Sequence, residues 1–498
     1  MRKLIRTFSF LIFILVLTTG CGGGSGGEPG RVAAVENSLI PAVIKAGDEP
    51  PLLHLEDRMR HFRVPGVGIA VVNNGVVEWA KGYGVVEAGG SRAVNAQTVF
   101  QACSISKPVA VTGIMLLEQS KTLDITRNVN DYLTSWRLPD SAHTVREKAT
   151  VERLMSHTGG TSVGGFAGYA PGEALPTILQ TLQGISPANN KAVEAVYVPG
   201  TKWSYSGGGM EVLHLMTQEV TGMPLRDYMQ RHLFTPLGMS RSDFAQPLDG
   251  PLATNAAKGH DVDGGVVSGG WNTYPELVAA GLWTTPSDLG RLLVETINAT
   301  RGHGIALELE TAVNILTQRP NSEFGLGFMV ETRADDLVFK HTGSNQGYKT
   351  YFMGLRDRGQ GVVVMTNGEN GSPLMYEIVR SVVRVYDWPD IEGAEEAELV
   401  DVPRATLRSH VGAYVGTFRP TGKEAIEDID FQVYLEDSGL MLRLAYAGGS
   451  GRMDLYPVAH DEFLLRGDLE GTLVFDVDAQ GRTIGFSIPR INVTARKK

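Results

Sequence analysis

Ser104, Ile105, Ser106 and Lys107 form an S-x-x-K tetrapeptide where an extended run (96–103) meets an apolar, helix-like run (109–117). If the helix starts near Ser104, Lys107 lies three residues on and shares its face, so the amine reaches the hydroxyl. Serine is a poor nucleophile until something removes its proton. A neighbouring lysine can do this when a helix N-terminus and partial burial disfavour its charged form. The chemistry would be acyl transfer through an activated serine. Pro108 agrees with the placement, because proline is tolerated only close to a helix start. An isolated S-x-x-K is a frequent accident, so the assignment depends on partners elsewhere. Cys103, directly before Ser104, has no dedicated base nearby and reads as a small buried apolar residue.

The elements that must position these groups can be read along the chain. Two β-rich runs, 67–72 and 76–80, flank Asn73-Asn74-Gly75, the strongest short-range hairpin signal. A second β-rich pair comes late, at 348–354 and 361–366, and mostly helical patterns lie between (211–220, 225–233, 286–297). Strands at both ends enclosing helices predict an α+β domain over 51–388. An acidic, Glu/Ala-rich stretch, 389–403, reads as a linker. Beyond it, over 404–498, short strands alternate with turn signals, the pattern of a small all-β barrel or sandwich. Asp476-x-Asp478-x-Gln480-Gly481 has the opening of a calcium loop, but the twelfth position is Ser487, so a hairpin turn is expected.

At 498 residues, with 42% hydrophobic and 20% charged residues, the chain is globular and long enough for two units. A net charge of −10 without a basic cluster past the N-terminus argues against nucleic acid. Residues 1–20 combine Arg2, Lys3 and Arg6 with an apolar stretch (8–17), which reads as an export signal too short for a permanent anchor. Cys21 and the glycine-rich run after it resemble a bacterial lipoprotein start, implying an acylated cysteine, a tether over 21–50 and a periplasmic or cell-envelope location. Without lipid on Cys21 the protein would be secreted. Cys103 is the only other cysteine, so no intrachain disulfide is expected.

Three further segments accompany the tetrapeptide. Tyr205-Ser206-Gly207 follows a Pro-Gly turn and precedes a helix, His341-Thr342-Gly343-Ser344 lies just before a strand, and Leu-Met-Ser-His-Thr-Gly-Gly (154–160) sits between Ser104 and Tyr205. Their order and wide spacing resemble the serine hydrolase superfamily of class C β-lactamases, DD-peptidases and their esterase relatives. The resemblance covers roughly 52–386. It implies an antiparallel sheet flanked by helices with an all-helical subdomain. It also implies that Ser104 is acylated, that Lys107 accepts its proton, and that Tyr205 is a second acid/base serving the leaving group. The oxyanion would lie between the backbone N–H groups of Ser104 and Ser344, with His341, Thr342, Gly343 and Gly207 contacting substrate and no cofactor or metal required. Substrates would be small esters, peptides or β-lactams. Two departures shape that expectation. Gly207 stands where the family has asparagine, so the amide that grips a β-lactam side chain is missing. His341 stands for the usual lysine, which weakens recognition of a carboxylate at neutral pH. His157 reads as a turn brace without chemistry.

The sequence also offers other readings. Gly160-Thr161-Ser162-Val163-Gly164 matches G-x-S-x-G, but a nucleophile elbow needs a strand before the serine and a helix after it, and 150–157 reads as a capped helix. A lipid-anchored binding protein on an inactive hydrolase scaffold is the non-enzyme alternative. A metalloenzyme lacks its H-E-x-x-H. Pocket walls are expected from 159–174 and 261–274, with Trp271 and Tyr274 either lining an acyl pocket or packed behind it.

Overall fold

The computed structural model of the chain describes residues 28–389, 391–419, 426–436, 439–446, 449–466 and 470–498. The expected export signal and Cys21 lie outside the described residues. The helices that matter below are α1 (Glu28–Glu36), α2 (Leu55–Phe62), α3 (Ser106–Gln119), α4 (Val151–Met155), α5 (Gly207–Thr221), α6 (Leu277–Ala280), α7 (Pro286–Ala299) and α8 (Gly371–Val385). The main sheet contains β1 (Gly66–Asn73), β2 (Val76–Gly84), β3 (Met329–Arg333), β4 (Asp336–Asn345), β5 (Tyr348–Leu355) and β6 (Gln360–Thr366), antiparallel in the order β2-β1-β6-β5-β4-β3.

The predicted hairpin joins β1 to β2. Asn74 and Gly75 both take positive φ (53° and 72°) between paired Asn73 and Val76, the conformation a two-residue hairpin turn demands. β1 then crosses to β6, pairing Val67 with Thr366, so the two ends of the domain share one sheet. Side chains alternate along β1: Val67, Ile69 and Val71 enter the core against α8, and Ala70 and Val72 the core of the opposite face. On that opposite face α7 begins with Thr285 accepting from the Asp288 N–H at 3.1 Å and Pro286 in the first turn. α8 covers its own face with Leu374, Met375, Ile378, Val379 and Val382, apolar at helical spacing.

The expected boundaries need correction at both ends. Residues 28–50 are not tether: α1 packs Val35 into the α8 core, and a short strand, Val43–Lys45, pairs parallel with Glu395–Ala397. The stretch 389–403 therefore contains a strand. Its acidic composition suited solvent, but Glu392 accepts from Lys340 Nζ (3.0 Å) and Tyr351 Oη (2.7 Å), and Glu395 from Arg466 Nε (2.6 Å). Paired carboxylates can serve a domain junction as readily as a solvated linker.

From Gly412 to Lys497 eight antiparallel strands close into a barrel, the last pairing with the first. Its interior is filled by aromatic residues including Tyr414, Phe431, Phe463, Phe475 and Phe486. Asp478 Oδ1 accepts from the N–H groups of Gln480 (3.0 Å) and Arg482 (2.9 Å), as in an ordinary hairpin turn. The barrel docks through charge: Arg58 bridges Glu377 and Asp454, His61 reaches Asp454 at 2.9 Å, and Arg443 reaches Asp263 at 3.0 Å.

Candidate active site

Ser104 sits in a single 3-10 turn, Cys103–Ile105, that runs directly into α3. The turn is held on several sides. Ala102 N–H donates to Leu282 O (2.8 Å), Thr350 Oγ1 donates to Ala102 O (3.0 Å), and Ser106 Oγ donates to Cys103 O (2.6 Å). These contacts keep Cys103 at φ 54°, a left-handed conformation that costs a residue with a Cβ on the order of 1 kcal/mol. The Cys103 thiol is buried, and burial pushes it up to about 12, so it is not a nucleophile at neutral pH.

Lys107 lies in the first turn of α3, 2% exposed, with Nζ 3.0 Å from Ser104 Oγ and 2.6 Å from Ala279 O. The same Nζ stands 4.9 Å from the centre of the Tyr205 ring. Tyr205 enters because Ser206 caps α5, accepting from Gly209 N–H at 2.9 Å. His157, beyond the α4 terminus, accepts the Ser206 N–H on Nδ1 (3.2 Å) and its ring lies 4.3 Å from that of Tyr205. It braces the turn, as its place in the sequence implied.

His341 to Ser344 lie within the final part of β4 and not before it. β3 pairs with β4 only as far as Lys340, so the stretch 341–345 is an open sheet edge beside the nucleophile. Gly343 makes that approach possible: a Cβ there would lie 2.3 Å from Thr350 Oγ1, 2.6 Å from Ala102 O and 2.8 Å from Cys103 Cβ. His341 is buried and donates Nδ1–H to Thr342 O (2.6 Å). Burial, with Lys107 nearby, lowers its pKa to about 3, so it brings no positive charge to the site.

That shift has a stability consequence. A histidine at about 6.5 when unfolded and about 3 when folded makes the unfolded chain bind more protons below pH 6.5, so stability is full above that value and falls as the pH drops. At pH 5 the cost from His341 is about 2 kcal/mol. Thermal melts at pH 7.5 and pH 5 should therefore differ less in His341→Asn than in the unaltered protein; equal differences would contradict the assignment.

A cleft of about 640 Å³ opens on Ser104 and Lys107, walled by Ser162, Val163, Phe166, Asn189, Asn190, Lys191, Ala279, Ala280, Ser344 and Asn345. The expected wall 159–174 is present in it, and 261–274 is not. Tyr274 is 2% exposed with Oη accepting from Gln346 N–H, and Trp271 packs edge-on to Trp283 at 5.2 Å, so both support the wall from behind. The 189–191 and 279–280 segments carry no motif and could not be picked from sequence. Lys349, also missed, is a buried cation that donates to Ser344 Oγ (2.9 Å) and Glu369 (2.8 Å).

Over Gly207 the ring of Phe166 fills the space a side chain would take, 2.9 Å from the place of a Cβ. An apolar ring thus occupies the place of the amide whose absence the sequence implied. Ser162 lies in the wall with Oγ on Ala192 O (3.1 Å) and on Glu194 N–H (2.9 Å), in a loop followed by Val163 at φ 62°. It has neither the strand nor the helix of an elbow. Among the described residues no group of three or more His, Cys, Asp or Glu is placed to hold a metal ion, and no helix is long and apolar enough to cross a membrane.

A serine hydrolase of the S-x-x-K kind is the class this fold and site define. The chain belongs to the Beta-lactamase family, whose profile matches residues 54–382. It is 21% identical over 432 residues to Penicillin-binding protein 4* of Bacillus subtilis, an alignment covering 80% of this chain and 87% of that one. Among solved structures, the octameric penicillin-binding protein homologue from Pyrococcus abyssi matches with a TM-score of 0.56 at 19% identity, covering 89% of this chain and 98% of that one. The D-amino acid amidase from Ochrobactrum anthropi matches with a TM-score of 0.52 at 19% identity, over 67% of this chain and 95% of that one. At these identities the structural likeness establishes the fold.

Proposed function

We propose that the protein is an exported serine hydrolase that cleaves small esters or amides, with esterase or DD-peptidase-like activity. The single observation that carries this reading is the Lys107 Nζ to Ser104 Oγ contact of 3.0 Å at the floor of an open cleft. Lys107 takes the Ser104 proton as Oγ attacks the acyl carbon, and the oxyanion is held by the backbone N–H groups of Ser104 and Ser344. Tyr205 relays the proton to the leaving alcohol or amine, and water then releases the acid from the acyl-serine by the reverse sequence. His341, Thr342, Gly343 and Gly207 flank the substrate.

The neutral His341 and the Phe166 ring over Gly207 favour an uncharged acyl group over a β-lactam with its carboxylate and amide. A lost hydrogen bond of that kind is worth roughly 0.5 to 1.5 kcal/mol, about two- to tenfold. The expected result of a screen over p-nitrophenyl esters, a chromogenic cephalosporin and D-Ala-D-Ala peptides is a higher kcat/KM for the best short ester than for the cephalosporin. The reverse order would overturn that preference. Mass spectrometry after a fluorophosphonate probe should place the adduct on Ser104, and an adduct on Ser162 or Cys103 would sink the mechanism. The basic, apolar start of the chain and Cys21 support export and lipid attachment in the cell envelope. Loss of membrane association in Cys21→Ala is the corresponding test.

A further inference from the structure

We propose that Glu211 is a positioning residue for Lys107, acting through α6. The inference rests on Lys107 being the proton acceptor. Glu211 lies about one turn into α5, the helix whose start carries Tyr205, and is fully buried. One carboxylate oxygen accepts the Ala279 N–H at 2.8 Å, and the other meets His214 Nδ1 at 2.8 Å. Ala279 in turn offers its carbonyl to Lys107 Nζ at 2.6 Å. One peptide unit is therefore gripped on its N–H side by Glu211, while the carbonyl of the same residue grips the amine.

The arrangement has a reason in geometry. α6 is only four residues long, so it has no length of its own to fix its place. To accept the Ser104 proton Lys107 must present a lone pair, and a neutral amine has two N–H donors beside it, so a fixed acceptor for one of them aims the lone pair at the hydroxyl. Glu211 anchors that acceptor to the helix that also delivers Tyr205, so the two groups that move protons share one support. A buried carboxylate is costly and is kept where its hydrogen bonds are complete. Glu276, the residue before α6, gives the contrast. Both of its carboxyl oxygens are buried without a partner among the described residues, and burial with the Glu211 charge pushes it up to about 8. Burial beside Glu211 thus holds Glu276 toward its neutral form.

The test uses Glu211→Leu, Glu211→Gln and Glu211→Asp in the full chain, with p-nitrophenyl acetate as substrate and near-ultraviolet circular dichroism as the check on folding. Glu211→Leu should lower kcat by about 10- to 100-fold with KM within about twofold, since a displacement of about 1 Å costs on that order. Glu211→Gln should recover most of the rate, because its amide oxygen still accepts the Ala279 N–H. Should Glu211→Leu not fold, Glu211→Asp keeps the charge and retracts the acceptor, and a kcat loss of about three- to tenfold at unchanged KM is expected. A folded Leu or Asp variant with unaltered kcat, or a Gln variant no better than Leu, would overturn the inference. The proposed reaction fails separately, if the unaltered protein does not acylate on Ser104.

Discussion

Lys107→Ala is expected to lower kcat for the best ester by about 10² to 10⁴, the usual worth of a positioned general base. Lys107 is almost wholly buried and its Nζ is held at two points, on Ser104 Oγ and Ala279 O. The informative companion is Lys107→Arg. Guanidinium keeps the charge but cannot give up its proton at working pH, so it should be as damaging as alanine. If arginine restored activity, the lysine would act through charge alone and the assignment as proton acceptor would be wrong. Steady-state rates on folded protein, with burst amplitudes to count reactive sites, decide between the two.

Gly343→Ala should be nearly as severe, with kcat/KM falling by about 10² and stability by about 1 to 3 kcal/mol. The cause is space, since the new Cβ would lie within 3 Å of Ala102 O, Thr350 Oγ1 and Cys103 Cβ. Two of those atoms belong to the backbone and Cβ of the turn that holds the nucleophile, and cannot swing away. Either β4 retreats from Ser104 or the turn shifts, and both separate Ser104 N–H from Ser344 N–H. A variant with unaltered kcat and melting temperature would show that the strand and the turn are not tightly apposed.

The chemistry of the floor was legible because its residues carry local signals: Ser104 and Lys107 at a strand-to-helix junction, Tyr205 at a helix cap, His341 to Ser344 beside a strand. The α+β class and the barrel followed from where β-rich and helical periods change. The walls were illegible for a physical reason. Ala279, Ala280 and Asn189 to Lys191 gain their role only by tertiary placement, and their types are those of any loop or short helix. Trp271 and Tyr274 attracted notice through size, but large aromatic side chains more often support a wall than face it. The boundary at 389–403 misled because composition cannot tell a solvated glutamate from one matched to Lys340 or Arg466.

The parallel pairing of Val43–Lys45 with Glu395–Ala397 bears on the order in which the chain can fold. β1 has no central partner until residue 366 has been made, and the early strand none until residue 397. Contacts of such separation are slow to form and reward the chain late. A ribosome releasing this sequence therefore feeds out almost four hundred residues before the catalytic unit can close. Through that interval β1 has only β2 as a native neighbour, and its other edge depends on something else to stay unpaired.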